Sequence, residues 1–200
     1  MNKTYAICYD TLYVFNNKEE AKKHFLFCYD CSEGAEHERY ASILVDLNFS
    51  NTGKDNISKQ CNQVSIKLDN ETEGMLNVEL NEFLSIDDTI NYYENKINPI
   101  LEVSKNYDVN FRRKIPFEDF GSDNYINMSS FSKYYKEILD KLKINVNEIN
   151  TDEVSDGKYT LLLNNEIICD VDAWDNLDSV VQNIEAIDKF YREKDNVIEK

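Results

Sequence analysis

His24, Cys28 and Cys31 stand at i, i+4 and i+7, and His37 follows six residues later. On a helix the first three share one face. Together with His37 they form a Cys2His2 set, which zinc accepts in a tetrahedral site. The same residues offer two further chemistries. Cys28 and Cys31 make a CxxC pair suited to thiol redox work, and Cys31 with His37 makes a nucleophile and base. Each chemistry meets an objection. One histidine precedes the cysteines, against the usual zinc-finger order. A thioredoxin-type CxxC sits at a helix N-terminus, where the dipole lowers the thiol pKa. Here the pair falls at the C-terminal end of a predicted helix, where the dipole raises it. A zinc deaminase needs His-x-Glu before its CxxC, whereas His37 comes after it and is adjacent to Glu38. The sequence contains no GxSxG, GxxxxGK[ST] or GxGxxG, and its five glycines are scattered singly. The stretch CYDCSEGAEHERY therefore reads as a helix end and a polar loop. No catalytic residue, metal or other cofactor is expected, and an enzyme built on Cys31 and His37 stands as an alternative.

The elements around these residues follow from pattern and caps. Residues 4–9 (TYAICY) and 11–15 (TLYVF) are β-branched and aromatic, and predict two strands around Asp10. Asn17 is a candidate N-cap, with Glu19 and Glu20 in the first turn, for a helix running to about Cys31 and stopped by Gly34. Residues 39–49 (RYASILVDLNF) alternate and predict a strand. Residues 50–62 are polar and read as a loop, followed by short strands at 63–68 and 75–80. Ser85 with Asp88 resembles a capping box for a helix that Pro99 ends or kinks. A further helix spans about 130–142. Residues 158–163 and 166–171 flank Asn164-Asn165 as a hairpin. Asp172 then caps a last helix, about 173–195, with Trp174, Leu177, Val181, Ile184, Ile187 and Tyr191 as its seam. Strands and helices interleave without a regular βαβ rhythm. The expected fold is α+β, with mixed or antiparallel sheets and about four helices, a β-(β)-α-β start, and a hairpin plus helix at the C-terminus.

Charge refines this picture. The net charge is −16 over 200 residues. Counted along the chain it is −3 for 1–50, −5 for 51–100, +1 for 101–143 and −9 for 144–200. With the linker-like TDEVSDG, this shift suggests an N-terminal and central domain of 1–143 and an acidic hairpin–helix unit of 144–200. Asp170, Asp172, Asp175 and Asp178 cluster at the hairpin end and helix start. Asp175, Asp178, Glu185 and Glu193 fall opposite the helix seam. Such a surface repels nucleic-acid phosphates and attracts basic proteins. No apolar run approaches the ~20 residues that span a bilayer, and the N-terminus lacks a signal-peptide core. A cytoplasmic protein without membrane contact is expected, its five cysteines mostly reduced.

One resemblance bears on function. Glu20-Ala21-Lys22-Lys23, Cys31-Ser32-Glu33-Gly34, Glu38-Arg39-Tyr40 and the following ILVDL resemble small proteins of plasmids, phages and integrative elements in low-GC Gram-positive bacteria. The match covers about the first fifty residues and brings no activity with it. An acidic mobile-element protein without an enzyme motif implies a non-enzymatic, anti-CRISPR-type inhibitor. It would bind a basic host defence enzyme, a CRISPR effector or restriction nuclease, through a surface that mimics nucleic acid, using Asp170, Asp172, Asp175, Asp178, Glu185 and Glu193. It would not bind nucleic acid itself. The alternative is a nucleic-acid or conjugation accessory protein using Arg112, Arg113 and Lys114 among Tyr107, Phe111 and Phe117, since aromatics between cations can stack on bases.

Overall fold

A computed structural model describes residues 3–49, 52–53, 60–68, 74–107, 109, 111, 131–146, 148–155, 158–172 and 176–198. The fold is α+β, and the chain divides into two compact units, Met1–Tyr92 and Tyr93–Lys200. Residues 144–156 lie inside the second unit.

The first unit opens with the two expected strands. β1 (Thr4–Cys8) and β2 (Thr11–Phe15) pair antiparallel around a two-residue turn, Tyr9-Asp10. Tyr9 there has φ 55, which is uncommon for a bulky side chain. The Arg39 guanidinium lies over its ring at 3.7 Å. α1 (Lys18–Asp30) starts as the sequence predicts. Asn17 accepts from the Glu20 N–H at 2.9 Å, while Glu20 reaches back to the Asn16 N–H at 3.1 Å. These reciprocal bonds satisfy donors that a helix start otherwise leaves unpaired.

The expected strand at 39–49 is overturned. Ala35–Phe49 is a helix, α2, which begins directly after Gly34. Gly34 holds φ +62, where a Cβ would meet the following carbonyl, so it turns the chain from one helix into the next. The physical reason is period. Tyr40, Ile43, Leu44 and Leu47 recur at i, i+3, i+4 and i+7, and all four join the core of α1 and the sheet. The local alternation is a by-product of that stripe.

β3 (Thr52–Gly53), β4 (Gln60–Ile66) and β5 (Leu76–Ser85) complete a mixed sheet of order β3-β1-β2-β4-β5. The register gives it two distinct faces. Ala6, Cys8, Tyr13 and Phe15 face α1 and α2 together with Phe25, Ile43 and Leu47. Ile7, Leu12, Val14, Val64 and Val78 are buried on the other face. Ser85 then caps α3 (Ile86–Tyr92), accepting from the Asp88 N–H at 3.1 Å and donating to its carboxylate at 2.6 Å.

The second unit begins with a π-helical turn, Tyr93–Ile97, leading into α4 (Asn98–Asn106). Pro99 sits in the first turn of α4, where its missing N–H costs nothing. α5 (Phe131–Lys141) buries Phe131, Tyr134, Tyr135, Ile138 and Leu139. β6 (Ile149–Ser155), β7 (Lys158–Leu163) and β8 (Glu166–Asp172) form an antiparallel meander. The Asn164-Asn165 hairpin turn is as predicted, with φ 50 and 64. β6 is a strand where the sequence reads as a linker. It is an edge strand, and its exposed Asp152, Glu153 and Val154 give little apolar signal.

α6 (Leu177–Ile198) corrects the expected last helix. It starts later, and its cap is Asn176, which accepts from the Ser179 N–H at 2.9 Å. Asp172 instead ends β8, opposite Lys158. Leu177, Val181, Ile184 and Ile187 are buried as the seam predicts, and Tyr191 is half-buried. Trp174 lies outside the described residues.

Candidate functional site

The acidic residues of the second unit fall into two settings. The first is the sheet. β7 places Tyr159, Leu161 and Leu163 on its buried face, where Phe131 stacks on Tyr159 at 5.2 Å. The opposite face carries Thr160 between two carboxylates, because Asp152 of β6 and Asp170 of β8 are both its register partners. Asp152 and Asp170 are exposed. The Thr160 hydroxyl donates to Asp170 at 3.1 Å, which fixes that side chain's direction. At the end of β8 the backbone of Asp172 is in register with Lys158. Strands lie about 4.8 Å apart, so Asp152 and Asp170 are about 10 Å from each other across the sheet. Glu148 and Glu153 are exposed on the same hairpin arm.

The second setting is α6, and here the acids are interleaved with cations. Asp188 is held by Arg192 at 2.8 Å and by Lys96 at 3.8 Å. Glu193 stands 3.9 Å from Lys189, and Glu166 of β8 is bonded to Lys194 at 2.6 Å. Lys96, Glu185, Asp188, Lys189, Arg192 and Glu193 line one shallow groove of alternating sign. Positions 185, 188, 189, 192 and 193 share a helical face, so the basic residues sit among the acidic ones. Asp178 and Glu185 are half-buried, and Glu193 is exposed. Asp175 lies outside the described residues. Of the six predicted site residues, the structure therefore sets Asp170 on the outer sheet face, Asp172 at the end of β8, and Asp178, Glu185 and Glu193 along α6.

Asp152 is the acidic residue that sequence reasoning missed. Its signal is the alternation Ile149-Asn150-Thr151-Asp152, hidden in a stretch whose acids read as a linker.

The histidine and cysteine residues belong to the first unit. The His24 ring packs among Tyr13, Phe15 and Phe25 with centroids 5.1 to 5.5 Å away. Burial lowers its pKa, with a smaller push from Lys67. Its Nε2 lies 3.7 Å from the Cys28 Sγ. Burial and the neighbouring Cys31 raise the Cys28 thiol pKa. Both shifts favour neutral forms, so this is not an imidazolium–thiolate pair. His37 turns elsewhere. It lies in the first turn of α2, with its ring 3.6 Å from that of Tyr29 and its Nδ1 3.0 Å from the Tyr29 carbonyl. A carbonyl only accepts, so Nδ1 carries the proton. Among the described residues, no group of three or more His, Cys, Asp and Glu is arranged to hold a metal ion. All five cysteines are thiols, with Cys8 and Cys61 buried and Cys31 exposed.

Of the basic and aromatic segment, Arg112, Arg113, Lys114 and Phe117 lie outside the described residues. Tyr107 donates its hydroxyl to Glu137 at 2.9 Å and packs edge-on to Tyr134. Its ring is thus engaged within the second unit. No described helix is long and apolar enough to cross a membrane. Comparison with known protein families, curated proteins and solved structures yields no match.

Proposed function

We propose that the protein is a non-enzymatic binding protein that engages a basic partner through the outer face of the second unit's sheet. The carboxylates of Asp152 and Asp170 are the centre of that surface. The observation that carries the reading is their register on either side of Thr160. It gathers exposed like charges on a rigid element, where repulsion has no structural use and a cationic partner would relieve it. On α6, Asp188 and Glu193 contribute less, because Lys96, Arg192 and Lys189 pair with them locally.

The partner class follows from charge and from the resemblance of the N-terminal fifty residues. It is a basic nucleic-acid-handling enzyme of a host defence system, either a CRISPR effector or a restriction nuclease, and the protein acts on it as an inhibitor. Carboxylates displace the counterions and phosphates that such a channel attracts. Tagged protein is retained on a column with lysate of a low-GC Gram-positive host carrying such systems, and eluted by salt. A basic nuclease or its ribonucleoprotein, released at moderate salt and identified by mass spectrometry, is the expected result. Specific partners without any nucleic-acid enzyme among them overturn this partner class.

A further inference from the structure

The Cys28–Cys31 pair lies in the first unit, apart in the chain from the acidic sheet. Cys28 is half-buried in the last turn of α1, its Sγ 3.7 Å from the His24 Nε2. Cys31 is the exposed residue that ends the helix, with φ −95 and ψ 0. Three residues apart on a helix, two Cβ atoms lie about 5–6 Å from each other. A disulfide needs about 3.8 Å. The difference must be absorbed at Cys31, which lies beyond the last helical residue and is followed by Ser32, Glu33 and the left-handed Gly34.

We propose that Cys28 and Cys31 form a thiol-modification site. It closes reversibly into an intramolecular disulfide on reaction with a low-molecular-weight disulfide, with His24 as the base for the closing step. The exposed Cys31 thiolate attacks one sulfur of the external disulfide RSSR. A Cys31–SR bond forms, the external S–S bond breaks, and RS⁻ leaves and takes up the proton Cys31 has lost. Cys28 then passes its proton to the His24 Nε2 as its sulfur attacks the Cys31 sulfur. The Cys31–SR bond breaks, and the second RS⁻ is protonated from His24. Two cysteines lose two electrons, and one RSSR becomes two RSH.

The surroundings suit this role better than a catalytic one. Half-buried and pushed toward its neutral form, His24 stands within reach of the Cys28 proton. The helix C-terminus gives no stabilisation to thiolates. A pair whose reduced form gains no such stabilisation is a weaker oxidant than a pair at a helix N-terminus, while the exposure of Cys31 leaves the bond open to reduction.

The test exposes the full-length protein to mixtures of reduced and oxidised glutathione. Samples are quenched in acid, alkylated, digested and weighed. The expected product is a peptide with Cys28 and Cys31 joined, two hydrogens lighter than the dithiol. Cys28→Ser stops at a glutathione adduct on Cys31, and Cys31→Ser removes the joined product. His24→Phe keeps a ring in the cluster and slows closing about a hundredfold, the lower end of a positioned base's contribution, without slowing adduct formation. His24→Gln, which keeps a polar group there, behaves the same way. A wild-type adduct on Cys31 that persists unclosed overturns the site. Closing at wild-type rate in both His24 variants overturns the base.

Discussion

Alanine in place of Gly34 should destabilise the first unit by about 1 kcal/mol, and the same change at Gly74 should not. At neither position would an added Cβ meet an atom within 4 Å beyond its own residue and its two chain neighbours, so tertiary contacts contribute nothing to the difference. What separates the two is backbone conformation. Gly34 has φ +62, whereas Gly74 lies outside the left-handed region. A residue with a Cβ loses about 1–2 kcal/mol on being held left-handed. Alanine regains about 0.4–1 kcal/mol by restricting the unfolded chain. The net at Gly34 is a loss of about 1 kcal/mol, and at Gly74 a gain of about 0.4–1 kcal/mol. Asparagine at position 34 should lose less than alanine, because it tolerates this conformation. Urea unfolding followed by circular dichroism measures each variant. With a slope near 2 kcal/mol per M, the Gly34→Ala midpoint drops by about 0.5 M. The melting temperature falls by about 4–8 °C if the first unit unfolds on its own, and about 2–4 °C if the whole chain unfolds together. A neutral or stabilising Gly34→Ala, or equal losses at both glycines, would refute the corner between α1 and α2.

Four more outcomes rest on individual side chains. Asn17→Ala removes the acceptor for the Glu20 N–H and should cost about 1 kcal/mol in urea unfolding, while Asn17→Ser, which keeps an acceptor without adding charge beside Glu20, costs less. His24 has a folded pKa below its unfolded value of about 6.5, so the unfolded state binds its proton first. Its contribution to stability is complete above that value and is lost as pH falls through it toward the folded pKa. Unfolding measured at pH 7.5 and 5.0 should show a smaller acid loss in His24→Phe than in wild type. The Tyr13, Tyr40 and Tyr93 pKa values are each raised to about 12, mainly by burial. Here the unfolded state loses protons first, so stability should fall as pH rises above about 10, in step with tyrosinate absorbance. For the native thiols, alkylation followed by mass spectrometry should label Cys31 first and leave Cys8 and Cys61 until the chain unfolds.

Much of the fold was legible where local chemistry is decisive. Asn17, Ser85 and the Asn164-Asn165 turn each declared an element boundary through one side chain or one backbone preference. The failures came where two signals overlap. In 39–49, Tyr40, Ile43, Leu44 and Leu47 satisfy a helical stripe, yet neighbouring residues also alternate, and only packing against α1 and β2 decides between them. β6 has one exposed side rich in acids, so its strand character resides in its pairing with β7 rather than in its composition. Asp172 illustrates competition between caps. It is a good N-cap residue, but β8 continues through it and Asn176 takes the role. For the candidate site, Asp170 was legible from sequence and Asp152 was not, because their proximity exists only through the register of three strands. The helix acids were read by face alone, without Lys189 and Arg192, which occupy the same face.

If the sheet face, more than α6, carries partner binding, two double variants will part company in the salt-eluted pull-down. Asp152→Lys with Asp170→Lys reverses the sheet row, and Glu185→Lys with Glu193→Lys reverses acids on α6. Asp152, Asp170 and Glu193 are exposed and Glu185 is half-buried. Circular dichroism should therefore report an intact fold for both variants. The sheet variant should lose the basic partner, and the helix variant should retain it with elution at somewhat lower salt. Retention by the sheet variant together with loss by the helix variant would move partner binding from the sheet face to α6.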